Sequence, residues 1–217
     1  MSAKGRDGGN RQKRTRGGRP KELGNYYIVT DARETEKNYF EGLRASFPAN
    51  LQDKIEIKVC DVSSYKRLIP EALKGRQDAQ FRQLWLVFDR DQIPNFDEIL
   101  DKAQAEKIEV GWSNPCFELW LAAYFSGKVP NYSDSKECVE AFKGLYKRAT
   151  GREYSKNEKN LYATLTKHGD EAKALAAARV KYENERRDKL CASESFCTAV
   201  HRLVQELVQA RNADVQS

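Results

Sequence analysis

The sequence predicts an α/β fold: a mostly parallel sheet flanked by helices, followed by a helical C-terminal half. Three observations predict it. From residue 25 to residue 125, strand-like runs and helix-period stretches alternate, the order that builds a parallel sheet covered by helices. At the centre, Leu84-Trp85-Leu86-Val87-Phe88 is an unbroken apolar run, as expected of a strand buried on both faces. After Gly127 the strand signals stop and amphipathic helical patterns take over.

The elements follow in order. Asn25 to Thr30 is apolar and β-branched and reads as the first strand, ending at Asp31. From Glu34 a helical pattern places Tyr39, Phe40, Leu43 and Phe47 on one face, with Glu34 and Glu36 suiting the positive end of the dipole. Lys54 to Cys60 alternates polar and apolar, which predicts a strand near a sheet edge. Residues 64–75 read as a helix that Pro70 breaks or kinks. Gln83 to Asp89 is the central strand, and Asp91 to Pro94 is a loop. Asn95 is a candidate cap for a helix carrying Phe96, Ile99, Leu100 and Ala103. Ile108 to Trp112 is a further strand.

Ser113-Asn114-Pro115 then opens a helix expected from Cys116 to Phe125, with Asn114 as N-cap and Pro115 at its first position. This helix is apolar on most sides, so Glu118 within it is costly unless paired or bound to a metal. Beyond Gly127, helices are expected over 134–149, over 161–186 with a break at Gly169, and from Thr198 to Ala210.

Bulk properties exclude several classes. The 217 residues are 40% hydrophobic with a mean hydropathy of −0.78, which describes a soluble domain with a charged surface. No apolar run approaches the roughly 18–20 residues that cross a bilayer. The basic N-terminus has no apolar segment after it and is not a secretory signal, so a cytoplasmic location is expected. The cysteines, Cys60, Cys116, Cys138, Cys191 and Cys197, are scattered and odd in number, which argues against a disulfide framework or zinc site.

Charge divides the chain. The whole carries +6, yet residues 1–21 alone hold eight Lys or Arg against Asp7. Three regions follow: a disordered basic arm over 1–24, an α/β domain over 25–127, and a helical region over 128–217 packed on it. In the arm, Arg11, Lys13, Arg14, Arg16 and Arg19 suit contact with nucleic-acid phosphate. A solvated tail explains them equally well.

Candidate chemistry lies at the strand ends. There is no GxxxxGK[ST] loop, no HExxH and no GxSxG, so the chain is not expected to hydrolyse ATP by itself. Asp31, Glu34, Asp89, Asp91 and Glu118 are acidic residues at or near the turns. Asp89 and Asp91 would hold Mg2+ or Mn2+, with Asp31 as a further ligand or base. An Asp-x-Asp pair alone is better explained by strand termination and turn formation.

Longer motifs supply context. Thr35-Glu36-Lys37-Asn38-Tyr39-Phe40, Trp85-Leu86-Val87-Phe88-Asp89-Arg90-Asp91 and Ser113-Asn114-Pro115-Cys116-Phe117-Glu118-Leu119-Trp120 together resemble the RloB-like family. Tyr154-Ser155-Lys156 resembles its central Tyr-x-Lys pattern, and Thr198 to Val204 its ending. The resemblance spans nearly all of residues 25–207. It implies a Toprim-type α/β domain with a Mg2+-dependent nuclease-like site for DNA or RNA, tRNA included. It implies a role as effector in bacterial antiphage or restriction-linked loci, beside a separately encoded ABC/SMC-like AAA ATPase partner. Asp89 and Asp91 match the family's Asp-x-Asp, and Asn114 and Glu118 its Asn-Pro-x-Phe-Glu. Lys156 falls in the Tyr-x-Lys pattern.

The first acidic motif departs from the family. RloB-like chains read Cys-Glu-Gly-Glu-x-Thr-Glu where this one has Thr30-Asp31-Ala32-Arg33-Glu34-Thr35-Glu36. Asp31 is one methylene shorter than Glu, a reach shortened by about 1.5 Å. Compensation by Glu34 keeps the enzyme reading. Without compensation, the chain is a weak or inactive Toprim-like module that binds nucleic acid or a partner.

Overall fold

A computed structural model describes residues 25–31, 34–60, 67–78, 80–91, 93, 95–187 and 192–214, the side chains of the last two excepted. The basic arm, with Arg11, Lys13, Arg14, Arg16 and Arg19, lies outside the described residues, as does Arg33. The first half runs β1 (Tyr26–Thr30), α1 (Thr35–Ala45), α2 (Ala49–Gln52), β2 (Ile55–Val59), α3 (Leu68–Gln77), β3 (Gln83–Asp89), α4 (Phe96–Ala105), β4 (Glu109–Ser113) and α5 (Glu118–Ser126). The second runs α6 (Ser135–Thr150), α7 (Leu161–His168), α8 (Glu171–Arg187) and α9 (Val200–Asp214).

The four described strands form one parallel sheet in the order β2-β1-β3-β4. The expected edge strand is at the edge, and β3 is internal. Alternate residues of β1 and β3 feed two cores. Tyr26, Ile28, Trp85 and Val87 face α1, α5 and α9, while Tyr27, Val29, Leu84, Leu86 and Phe88 face α3 and α4. The first core also takes Phe142, Leu161, Ala174 and Leu203, so the helical half shares its interior with the sheet.

Local chemistry explains most boundaries. Pro70 sits in the first turn of α3, where no intrahelical donor is missing, and the helix runs on to Gln77. Asn95 does precede α4, but in a left-handed conformation with no side-chain cap bond. Asp134 caps α6 by accepting from the Glu137 N–H at 2.8 Å. The break between α7 and α8 falls at Gly169, where an added Cβ would lie 2.7 Å from the Tyr124 carbonyl oxygen.

Asn114 does not cap a helix. The Asn114–Pro115 bond is cis and α5 begins only at Glu118. The Asn114 amide instead donates to the carbonyls of Ala192 and Ser193, at 3.4 and 3.1 Å. Its backbone N–H donates to Cys197, and Ala199 donates to Trp112. The segment before α9 is thereby bound along the end of β4, where Ser113 and Thr198 form an antiparallel bridge.

Candidate functional site

The sheet order reverses between β1 and β3, and ligands of open α/β sheets bind at the carboxyl ends of strands at such a point. Thr30 stands opposite Val87, and the Asp31 N–H donates to the Val87 carbonyl at 3.2 Å. This register brings Asp31 level with Phe88, so Asp31 and Asp89 both end at the sheet's carboxyl edge. Two more acids join them. Glu36, in the first turn of α1, is 3% exposed. Glu118, the first residue of α5, is 2% exposed.

Electrostatics show that these groups share one space. Burial pushes Glu36 up to about 8, and Asp31 and Glu118 push it further the same way. Burial likewise raises Asp31 to about 6, against the lowering effect of its own N–H and that of Asp89. Asp89 is held well above the usual carboxylate range by burial, then by Glu36, Asp31 and Glu118, with the Phe117 N–H opposing. One oxygen each of Asp31, Glu36 and Asp89 is buried without a hydrogen-bond partner.

The helical half supplies the far wall. Tyr154 donates to Glu118 Oε1 at 3.2 Å and stands 3.2 Å from Thr35 Oγ1. The Lys156 ammonium lies 4.0 Å from Glu118 Oε1, and Glu118, then Glu36 and Asp89, hold its pKa up. Among the described residues it is the cation in ion-pair range of the cluster. The Tyr-x-Lys segment and the Asn-Pro-x-Phe-Glu segment therefore meet at Glu118.

Asp91 and Glu34 stand apart from the buried group. Asp91 is exposed, has a left-handed backbone (φ 28°), and accepts from Ser135 Oγ at 3.0 Å. It still raises the Asp31 pKa, which places it at the rim. Arg90 does not neutralise the acids, since its guanidinium donates to the Asp91 carbonyl. Glu34 is exposed at the N-cap of α1 without a cap bond. The family motif held the signal for Glu36: aligned residue by residue, Glu34 falls at the variable position and Glu36 at the final Glu.

The donor set is all carboxylate oxygen, the chemistry of a hard divalent cation such as Mg2+ or Mn2+. The three orphaned oxygens of Asp31, Glu36 and Asp89 fit such an ion, because its charge would replace missing partners. As the side chains stand, no three His, Cys, Asp or Glu close into a finished ligand set among the described residues. The four buried cysteines described are free thiols well suited to packing, not ligands of this kind.

No curated protein and no solved structure matches the chain. Among the described residues, no helix is long and apolar enough to cross a membrane. The model of the RloB-like protein family matches residues 26–207, a span that takes in every carboxylate of the cluster as well as Tyr154 and Lys156. The chain therefore belongs to the RloB-like family.

Proposed function

We propose that the protein is a metal-dependent phosphodiesterase, a Toprim-type nuclease acting on DNA or RNA in the cytoplasm. It serves as the effector of a bacterial antiphage system whose ATPase is a separate chain. The observation that carries this reading is the set of three buried, unpartnered carboxylate oxygens at the sheet's switch point. Such a group is costly to assemble unless charge is delivered to it. A structural turn needs none of that burial.

Asp31, Glu36 and Asp89 would hold Mg2+ or Mn2+, which when bound polarises a phosphodiester and lowers the pKa of water. Asp91 stands at the rim, where it meets the incoming substrate side. Tyr154, itself 3.2 Å from Thr35 Oγ1, would hold Glu118 in place by donating to its Oε1. The exposed stem of Lys156 lets its ammonium reach outward to a phosphate oxygen.

The test is cleavage of DNA, tRNA and total RNA with Mg2+ or Mn2+, with and without the neighbouring ATPase. Loss of cleavage in Asp89→Asn supports the assignment, and equal cleavage by parent and Asp89→Asn sinks it. The open ligand set favours a second reading, a catalytically weak module that binds nucleic acid or a partner. That reading requires thermal stability to be insensitive to Mn2+.

A further inference from the structure

A groove runs along the outer edge of β4, walled by α8 and α9. Its larger part, about 620 Å³, lies between the two helices. It continues past the start of β4 as a further hollow of about 310 Å³. Tyr182, Arg186 and Arg202 line both parts.

Between α8 and α9 basic side chains outnumber acidic ones. Arg179, Arg186 and Arg187 of α8 and Lys107 before β4 face the groove and form no ion pair with a described carboxylate. Arg202 is committed to Glu109 at 2.5 Å, so neither adds free charge. Glu183 is the acid left over. The Arg186 guanidinium lies 5.7 Å from the Tyr182 ring centre, within cation–π range. Arg179 and Arg186 are seven residues apart, two helical turns or about 10.5 Å. A third hollow, sharing Tyr182 and Arg186 with both parts, carries Asp97, Asp101 and Glu185, so the basic face is confined to the part between α8 and α9.

We propose that this groove binds the phosphate backbone of single-stranded nucleic acid, at a place separate from the carboxylate cluster. Arginine forks match phosphate in two-point contacts, and unpaired cations beside an aromatic ring form the usual channel for a single strand. The choice of nucleic acid over an acidic protein rests on the phosphodiesterase reading. The groove begins at Lys107 and Glu109, the amino end of β4, whereas the carboxylates sit at the opposite end of the strands. Substrate would therefore be gripped away from the bond that is cut.

The experiment is fluorescence anisotropy of a labelled single-stranded oligonucleotide with the full chain carrying Asp89→Asn, in EDTA. Added Arg179→Ala, Arg186→Ala and Arg187→Ala should weaken binding roughly tenfold and reduce the log–log salt slope by about 2. The comparison variant, Lys128→Ala, Arg148→Ala and Lys167→Ala, removes the same charge from other exposed positions. Equal loss in both triple variants overturns the groove, as does unchanged binding in the first. Competition by poly-glutamate as strong as by unlabelled oligonucleotide overturns the choice of nucleic acid. Metal-free binding is read separately from cleavage, so an inactive enzyme with an intact groove refutes the catalytic reading alone.

Discussion

The Tyr154 hydroxyl donates to Glu118 Oε1 at 3.2 Å. The ring is packed 4.7 Å from Phe142 and the hydroxyl is buried with it. Tyr154→Phe keeps the ring and deletes the donor to a buried carboxylate. A loss of about 1.5–3 kcal/mol is expected, as for hydrogen bonds to charged groups. Urea unfolding of parent and variant measures it, and a change below the error of extrapolation removes Tyr154 as the holder of Glu118.

Asp89→Asn should do the opposite to stability. It removes one of several like charges enclosed together, with an oxygen that has no partner. Without metal at pH 8 the variant should be more stable than the parent, by on the order of 1–3 kcal/mol. With millimolar Mn2+ the parent should gain stability and the variant should not. A variant less stable than the parent in EDTA would mean that Asp89 is a structural turn residue.

Glu36 and Glu34 separate a site acid from a surface acid. Glu36→Gln should abolish the Mn2+-induced rise in melting temperature. Glu34→Gln, at an exposed cap position without a cap bond, should change stability by less than about 0.5 kcal/mol and leave cleavage intact. The reverse ranking would show that the buried cluster is not where the cation acts.

His201 gives a pH signature away from the site. Burial lowers its pKa to about 4; the Thr198 carbonyl and Glu183 oppose this, while Arg202 and Arg179 add to it. A group neutral when folded and charged when unfolded takes up its proton on unfolding. Its contribution is therefore complete above pH 6.5 and lost as the pH falls from 6.5 towards 4, up to about 3 kcal/mol. Asp31 and Glu36, raised in the fold, act in the other direction. The difference between parent and His201→Gln isolates the histidine: denaturant midpoints at pH 7.5 and 4.5 should converge at the lower pH.

Much of this was legible in the chain. The apolar run before Asp89 and the alternation of elements place the sheet, and Asp31 and Asp89 stand at its carboxyl edge as strand ends must. Which first-turn acid points inward was not legible from composition. Glu36 lies within the first turn of α1 while Glu34 precedes it with a non-helical backbone, so the two acids part company at the cap. The Tyr154–Glu118 contact joins residues 36 apart on elements whose docking no local pattern encodes. The groove arginines read in sequence as an ordinary solvated helix face, because only the approach of α9 and the edge of β4 makes them a channel.

The clasp between Asn114 and the carbonyls of Ala192 and Ser193 bears on the order in which the protein is made. A ribosome has delivered all the acids by Glu118, but Tyr154 and Lys156 follow some forty residues later and the clasp later still. A nascent chain thus carries the acidic half long before the residues that orient it. The clasp on Asn114 can close only after Ser193 has been made.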